Sequence, residues 1–106
     1  MPLSKNEIIQ KLKELKLRYM EEGFIIVGLF GSYARDENQN SSDIDIIYDV
    51  DDIYLQKYSG FEAISRVREI SQELAKEFKT RVDIVSLPKY GNKRVQESIK
   101  KDLIYV

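Results

Sequence analysis

Asp43 and Asp45 stand two residues apart at the head of an apolar segment, DIDIIYDV, and Asp83 sits inside a second one, RVDIVSL. Residues i and i+2 of a strand project from the same face, roughly 6.6–7 Å apart along the backbone, so the first two carboxylates can converge on one small cation. A third carboxylate from a neighbouring strand would complete a cluster of three anions. Crowded and poorly solvated, at least one of the three must take up a proton unless a cation is present. Mg2+ suits such a set, because it prefers carboxylate oxygens together with the phosphates of a substrate. Two ions about 3.5–4 Å apart can activate an attacking hydroxyl and stabilise a leaving pyrophosphate.

A complementary group precedes the acids. Gly31-Ser32 ends the apolar run FIIVGLF and is followed by Tyr33-Ala34-Arg35. Glycine lets the backbone approach a phosphate closely, and the amides at the start of the following turn favour anions. The Ser32 hydroxyl can donate one more hydrogen bond, and Arg35 can reach the same phosphates as a fixed cation. An Asp-x-Asp pair alone is common in acidic loops, and a Gly-Ser pair is most often only a turn. Their order, each at the end of a buried strand, makes a phosphate cradle facing a metal cluster.

Composition narrows the chemistry further. The 106 residues contain no cysteine and no histidine, which excludes a thiolate zinc site, a cysteine nucleophile and a histidine base. Seventeen Lys and Arg against eighteen Asp and Glu give a net charge of −1, without the basic excess of proteins that live on the nucleic-acid backbone. Lys11, Lys13, Lys16 and Arg18 read as the solvated face of a helix. No apolar run approaches the roughly 18–20 residues of a membrane span, and the first ten residues lack a signal-peptide core. A cysteine-free chain is compatible with the cytoplasm. The length fits one domain, residues 1–106, around a single modest core.

The elements that must position these groups follow from periodicity. Ser4-Lys5-Asn6-Glu7 is a capping box, and Ile8, Leu12, Leu15 and Tyr19 recur at helical spacing behind it, with Gly23 as the expected C-cap. Phe24–Phe30 reads as a strand buried on both faces, and Tyr33–Arg35 as one helical turn before a polar loop over 36–42. Alternation in the second strand puts Asp43, Asp45, Ile47 and Asp49 on one face and Ile44, Ile46, Tyr48 and Val50 on the other. Residues 51–58 read as a connection of undefined shape. Ser59-Gly60-Phe61-Glu62 reads as another capping box, opening a helix to about Lys79 whose stripe is Ile64, Val67, Ile70 or Ser71, Leu74 and Phe78. The strand Arg81–Leu87 stops at Pro88, with Asp83, Val85 and Leu87 sharing a face. Asn92–Lys101 reads as a short amphipathic helix with Val95 and Ile99 inward, and LIYV as an edge strand. The fold class is α+β, a sheet with helices mainly on one face. Tyr48 belongs to the core. Tyr33 either lines a nucleotide pocket or packs against the sheet end, and Tyr54, Tyr58 and Tyr90 serve a partner surface or cover helix ends.

The succession GSYAR, polar loop, SDIDIIYDV and later VDIV resembles the minimal nucleotidyltransferases of the DNA polymerase beta superfamily. The resemblance covers about Phe24 to Leu87, and the tail SIKKDLIYV is similar to the closing helix-and-strand segment of that family. It implies the polymerase beta palm-like fold with a small mixed sheet. It implies transfer of AMP from ATP to a hydroxyl with two Mg2+ ions held by Asp43, Asp45 and Asp83. Gly31 and Ser32 would hold the triphosphate, and Asp83 would polarise the acceptor hydroxyl. Asp36 stands where many relatives have glycine. Such proteins are frequently paired with a helical HEPN protein, as antitoxin to a HEPN toxin, and some silence it by adenylylating a tyrosine. The alternative within the same resemblance is a non-catalytic module that neutralises its partner by contact alone. A metal-dependent phosphohydrolase would need only water as acceptor, but the chain offers no histidine or evident extra base for it.

Overall fold

Ser4 begins the first helix as the sequence predicts. Its hydroxyl accepts the Glu7 amide at 3.2 Å while the Glu7 carboxylate accepts the Ser4 amide at 3.3 Å, satisfying two donors that helix α1 (Lys5–Met20) would otherwise leave open. The computed structural model describes residues 3–35, 43–87 and 93–106. The loop at 36–42, with Asp36, and the segment 88–92, with Pro88 and Tyr90, lie outside the described residues, as does the side chain of Val95. Helix α1 buries Ile8, Leu12, Leu15 and Tyr19. It stops at Met20, and Gly23 closes the turn beyond it with φ +82° rather than capping the helix itself.

Strands β1 (Phe24–Phe30) and β2 (Ile44–Val50) pair antiparallel, β3 (Val82–Ser86) lies parallel to β2, and β4 (Ile104–Tyr105) pairs antiparallel with β1. The sheet order is β3-β2-β1-β4, a small mixed sheet. Strand β1 is not buried evenly on both faces: Ile25, Val27 and Phe30 are only half-buried. A register shift between Ile26 and Gly28 explains its pattern. The extra residue, Val27, changes the phase of alternation, so that Ile26 opposite Tyr48 and Leu29 opposite Ile46 both face the core. Phe30, opposite Asp45, is thereby left on the other face.

Residues 51–58 hold a helix that periodicity did not reveal. The Asp51 carboxylate accepts the amides of Ile53 and Tyr54 at 2.9 and 3.3 Å, starting α2 (Asp52–Lys57). Tyr54 is buried from it and donates its hydroxyl to the Ala63 carbonyl at 2.6 Å, joining α2 to α3 (Phe61–Phe78). The second capping box does not form. Gly60 is the N-cap of α3, and Glu62 donates its amide to the Ser59 carbonyl rather than to the hydroxyl. Ile70, Leu74 and Phe78 reach the core, and Ser71 donates to the Val82 carbonyl at 3.1 Å, but Ile64 remains 62% exposed, its turn meeting the core through Ala63 instead. Helix α4 (Lys93–Asp102) leads into β4, with Ile99 half-buried.

One core forms between α1, α3, Tyr54 and the sheet face carrying Ile26, Leu29, Ile44, Ile46 and Val82. Phe24 stacks on Tyr48 with centroids 4.9 Å apart. Above it, Arg66 ties three helical segments. Its Nε and Nη2 donate to the two oxygens of Glu22 at 2.6 and 2.8 Å, and Nη1 donates to Glu73 at 2.9 Å. Tyr19 donates to the second Glu73 oxygen at 2.7 Å and Tyr58 to Glu22 at 3.1 Å. Such bidentate, charge-assisted bonds fix geometry as well as energy. The cationic face of α1 is partly tethered as well: Lys11 donates to the Glu77 carbonyl and Lys16 to the Val106 carbonyl, both at 2.7 Å.

Candidate active site

Three chain segments meet at one end of the sheet. Strand β1 arrives with Phe30 and turns at Gly31; β2 and β3 depart side by side from Asp43 and Arg81. The register sets Asp45 directly beside Asp83 in the parallel pair, and neighbouring strands lie about 4.8 Å apart. Side chains of adjacent register partners share a face, and Asp43 shares the face of Asp45 by alternation. The three acids therefore lie on the face opposite the Ile44 and Ile46 core. Asp83 is exposed, on the outer strand of the sheet, while Asp43 and Asp45 are half-buried.

Gly31 fits the turn in two ways. Its φ of +80° is a conformation that a side chain disfavours, and a Cβ there would fall on the Asp45 carboxylate oxygen. The Arg35 amide donates to the Gly31 carbonyl at 3.1 Å, closing a single helical turn over residues 31–35. Tyr33 anchors that turn by packing into the core at 2% exposure. Of the two readings of Tyr33, the structure has the packed one. Ser32, half-buried, sits at the start of the turn.

The electrostatics follow from this crowding. Burial pushes the Asp45 carboxyl above its usual value, the charges of Asp83 and Asp43 push it further, and the Arg35 guanidinium pulls it back in part. Asp43 has a different neighbour, the Arg81 Nε at 3.8 Å. Among the described residues, no group of three acids stands as a ready-made metal site. Arg81 gives Asp43 a counter-charge of its own, while Asp45 and Asp83 remain register neighbours. The donor set itself, carboxylate oxygens on one face beside the Gly31 turn, is of the kind a hard divalent cation prefers.

Arg35 does not stand alone beside the Gly31 turn. Its Nη1 lies 3.5 Å from an oxygen of Asp102, the last residue of α4. Sequence reasoning singled out neither Asp102 nor Arg81. A signal for Asp102 existed: an acid in the final turn of a helix opposes the helix dipole and calls for a cation nearby. Tyr54 and Tyr58 are taken up by helix contacts, Tyr54 with Ala63 and Tyr58 with Glu22.

Residues 6–106 match the family described as polymerase beta, nucleotidyltransferase. A Methanocaldococcus jannaschii protein, provisionally named a protein adenylyltransferase, is 36% identical over 101 residues, which is 94% of this chain and 92% of the relative. A solved structure described provisionally as a minimal nucleotidyltransferase superposes with a TM-score of 0.71 at 21% identity, covering 98% of this chain and 97% of the other. A second, titled as a toxin-antitoxin with AMP-PNP, superposes with a TM-score of 0.51 at 24% identity over 94% of this chain and 84% of the other. With its α+β fold, mixed sheet and this match along nearly its whole length, the chain belongs to the polymerase beta nucleotidyltransferase family. No helix among the described residues is long and apolar enough to cross a membrane.

Proposed function

We propose that this protein is a Mg2+-dependent nucleotidyltransferase that moves AMP from ATP onto a protein hydroxyl, a tyrosine of a HEPN-domain toxin, and so acts as its antitoxin in the cytoplasm. The observation that carries this reading is the register: Asp45 beside Asp83, with Gly31 against the Asp45 carboxylate. The name of the archaeal relative supports a protein acceptor, and the toxin-antitoxin neighbour with AMP-PNP supports both the pairing and the nucleotide.

In this reading the amides of the Gly31-Ser32 turn and the Ser32 hydroxyl hold the triphosphate, with Arg35 as an additional cation. Asp43, Asp45 and Asp83 hold the magnesium, which when bound supplies charge neutralisation at the phosphates and at the attacking oxygen. Asp83, exposed on the outer strand, takes the proton of the acceptor hydroxyl. The acceptor oxygen bonds to the α-phosphorus, the α–β anhydride breaks, and pyrophosphate leaves. Asp83 and Val85 are both exposed, so a partner can bring its hydroxyl to that side.

The test is transfer itself. With labelled ATP, Mg2+ and a co-encoded HEPN protein, AMP should appear on a partner tyrosine by mass spectrometry. Asp45→Asn should abolish it. Asp83→Asn should lose transfer but retain much of the ATP binding, because its task is the acceptor proton. A partner silenced without modification, equally well by Asp45→Asn, would establish neutralisation by contact instead.

A further inference from the structure

Three features of the ion pair between Arg35 and Asp102 point beyond ordinary surface pairing. It joins residues 67 positions apart, one ending the cradle turn and the other ending α4. Asp102 sits at the negative end of its own helix, an unfavourable place for a carboxylate unless a cation offsets it. Arg35 also acts on Asp45, so the guanidinium lies within electrostatic reach of both the metal-face acid and the closing helix.

We propose that Asp102 is a positioning residue that competes with the nucleotide for Arg35, so that triphosphate binding trades the Asp102 carboxylate for phosphate oxygens. The proposal rests on the nucleotide reading above and adds a residue to it. The pair is suited to exchange. The approach of 3.5 Å is long for a charge-assisted bond, and both side chains are part-exposed, at 40% and 28%. Ion pairs of that kind are weakly held and weaken further with salt. A triphosphate offers several oxygens and more charge, and a guanidinium can engage it through two donors at once. Surrendering Asp102 has a structural consequence too. The carboxylate left at the α4 terminus should loosen the last turn, where the Leu103 amide donates to Ile99, and the neighbouring β4, where the Val106 amide donates to Val27.

The experiment measures binding, without any transfer step. The probe is Mg2+ with AMPCPP, an ATP whose α,β-methylene bridge cannot release pyrophosphate. Asp102→Asn and Asp102→Ser should each bind it more tightly than wild type, by up to about fivefold at low salt. In an Arg35→Gln background, binding should be weak and adding Asp102→Asn should leave it unchanged. AMPCPP should also speed amide exchange at 103–106 in the wild type but not in Asp102→Asn, which has no carboxylate to leave unpaired at the α4 terminus. Equal or weaker binding by both Asp102 variants overturns the exchange, as does tightening that persists without Arg35, which would mean simple repulsion. If the wild type binds no AMPCPP at millimolar concentration, the nucleotide reading falls and this inference with it.

Discussion

Gly31→Ala tests the coupling between the turn and the acidic face. Two separate costs apply. The left-handed φ of +80° disfavours any side chain by about 1–2 kcal/mol. Against this, alanine restricts the unfolded chain and returns about 0.4–1 kcal/mol. The second cost is steric: the new Cβ would coincide with the Asp45 carboxylate, which must turn away. That atom is the end of a side chain, so the backbone can stay while Asp45 moves. We expect a net loss of about 1–3 kcal/mol, a melting temperature lower by roughly 4–8 °C per kcal/mol for a chain of this size, and no transfer activity. A double-mutant cycle separates the terms. In an Asp45→Ala background the two nearest atoms are gone and the nearest that remains is the residue 45 Cβ, 3.1 Å from where the new methyl would sit. The penalty of Gly31→Ala should then shrink towards the φ term alone. Thermal and urea unfolding of the four proteins read the coupling directly. Equal penalties in both backgrounds would refute the claim that Gly31 is needed for the approach to Asp45.

Arg66→Ala should cost about 3–5 kcal/mol, chiefly because it strands Glu22, whose side chain is 15% exposed, while Glu73 at 43% exposure is relieved by water; a loss under 1 kcal/mol in urea would contradict this. The Arg66 hydrogen bond first holds the Glu22 carboxyl below its usual range; burial pushes Glu73 up, but bonds from Tyr19 and Arg66 outweigh it and leave it lowered. Depressed folded values mean that this stability is fully present above the ordinary value of 4.5 and is lost as pH falls through the folded one, so Arg66→Ala should flatten the acid limb of a melting-temperature profile. At the alkaline end, burial, with Tyr48, Tyr58 and Glu22 charges behind it, raises Tyr54 to about 12, so stability present below pH 10 declines as pH climbs through that value, and Tyr54→Phe should remove that part of the decline. Ser32→Ala should weaken the stabilisation of the fold by Mg2+ and ATP in a thermal-shift assay while leaving the unliganded melting temperature nearly unchanged.

Local patterns in the sequence determine much of this protein. The apolar run Phe24–Phe30 bounded by two glycine turns marks β1, the Ser4 and Glu7 pair marks the start of α1, and the alternation of Asp43, Asp45 and Asp49 with Ile44 and Ile46 assigns the faces of β2. These depend on neighbours within a few residues, where spacing and side-chain type leave few options. Helix α2 escaped because its signal is one capping aspartate before six residues, too short for a helical period. Other features depend on contacts between distant segments. The bulge at Val27 resets which residues of β1 face the core, and the first turn of α3 packs on it through Ala63 while Ile64 stays exposed. Parallel pairing of β2 with β3 sets Asp83 beside Asp45, although 38 residues separate them. Arg66 with Glu22, Arg35 with Asp102 and Arg81 with Asp43 likewise join partners that no local pattern links. A charge in a sequence carries no mark of its partner; strand register and helix packing choose it, and they are properties of the folded chain.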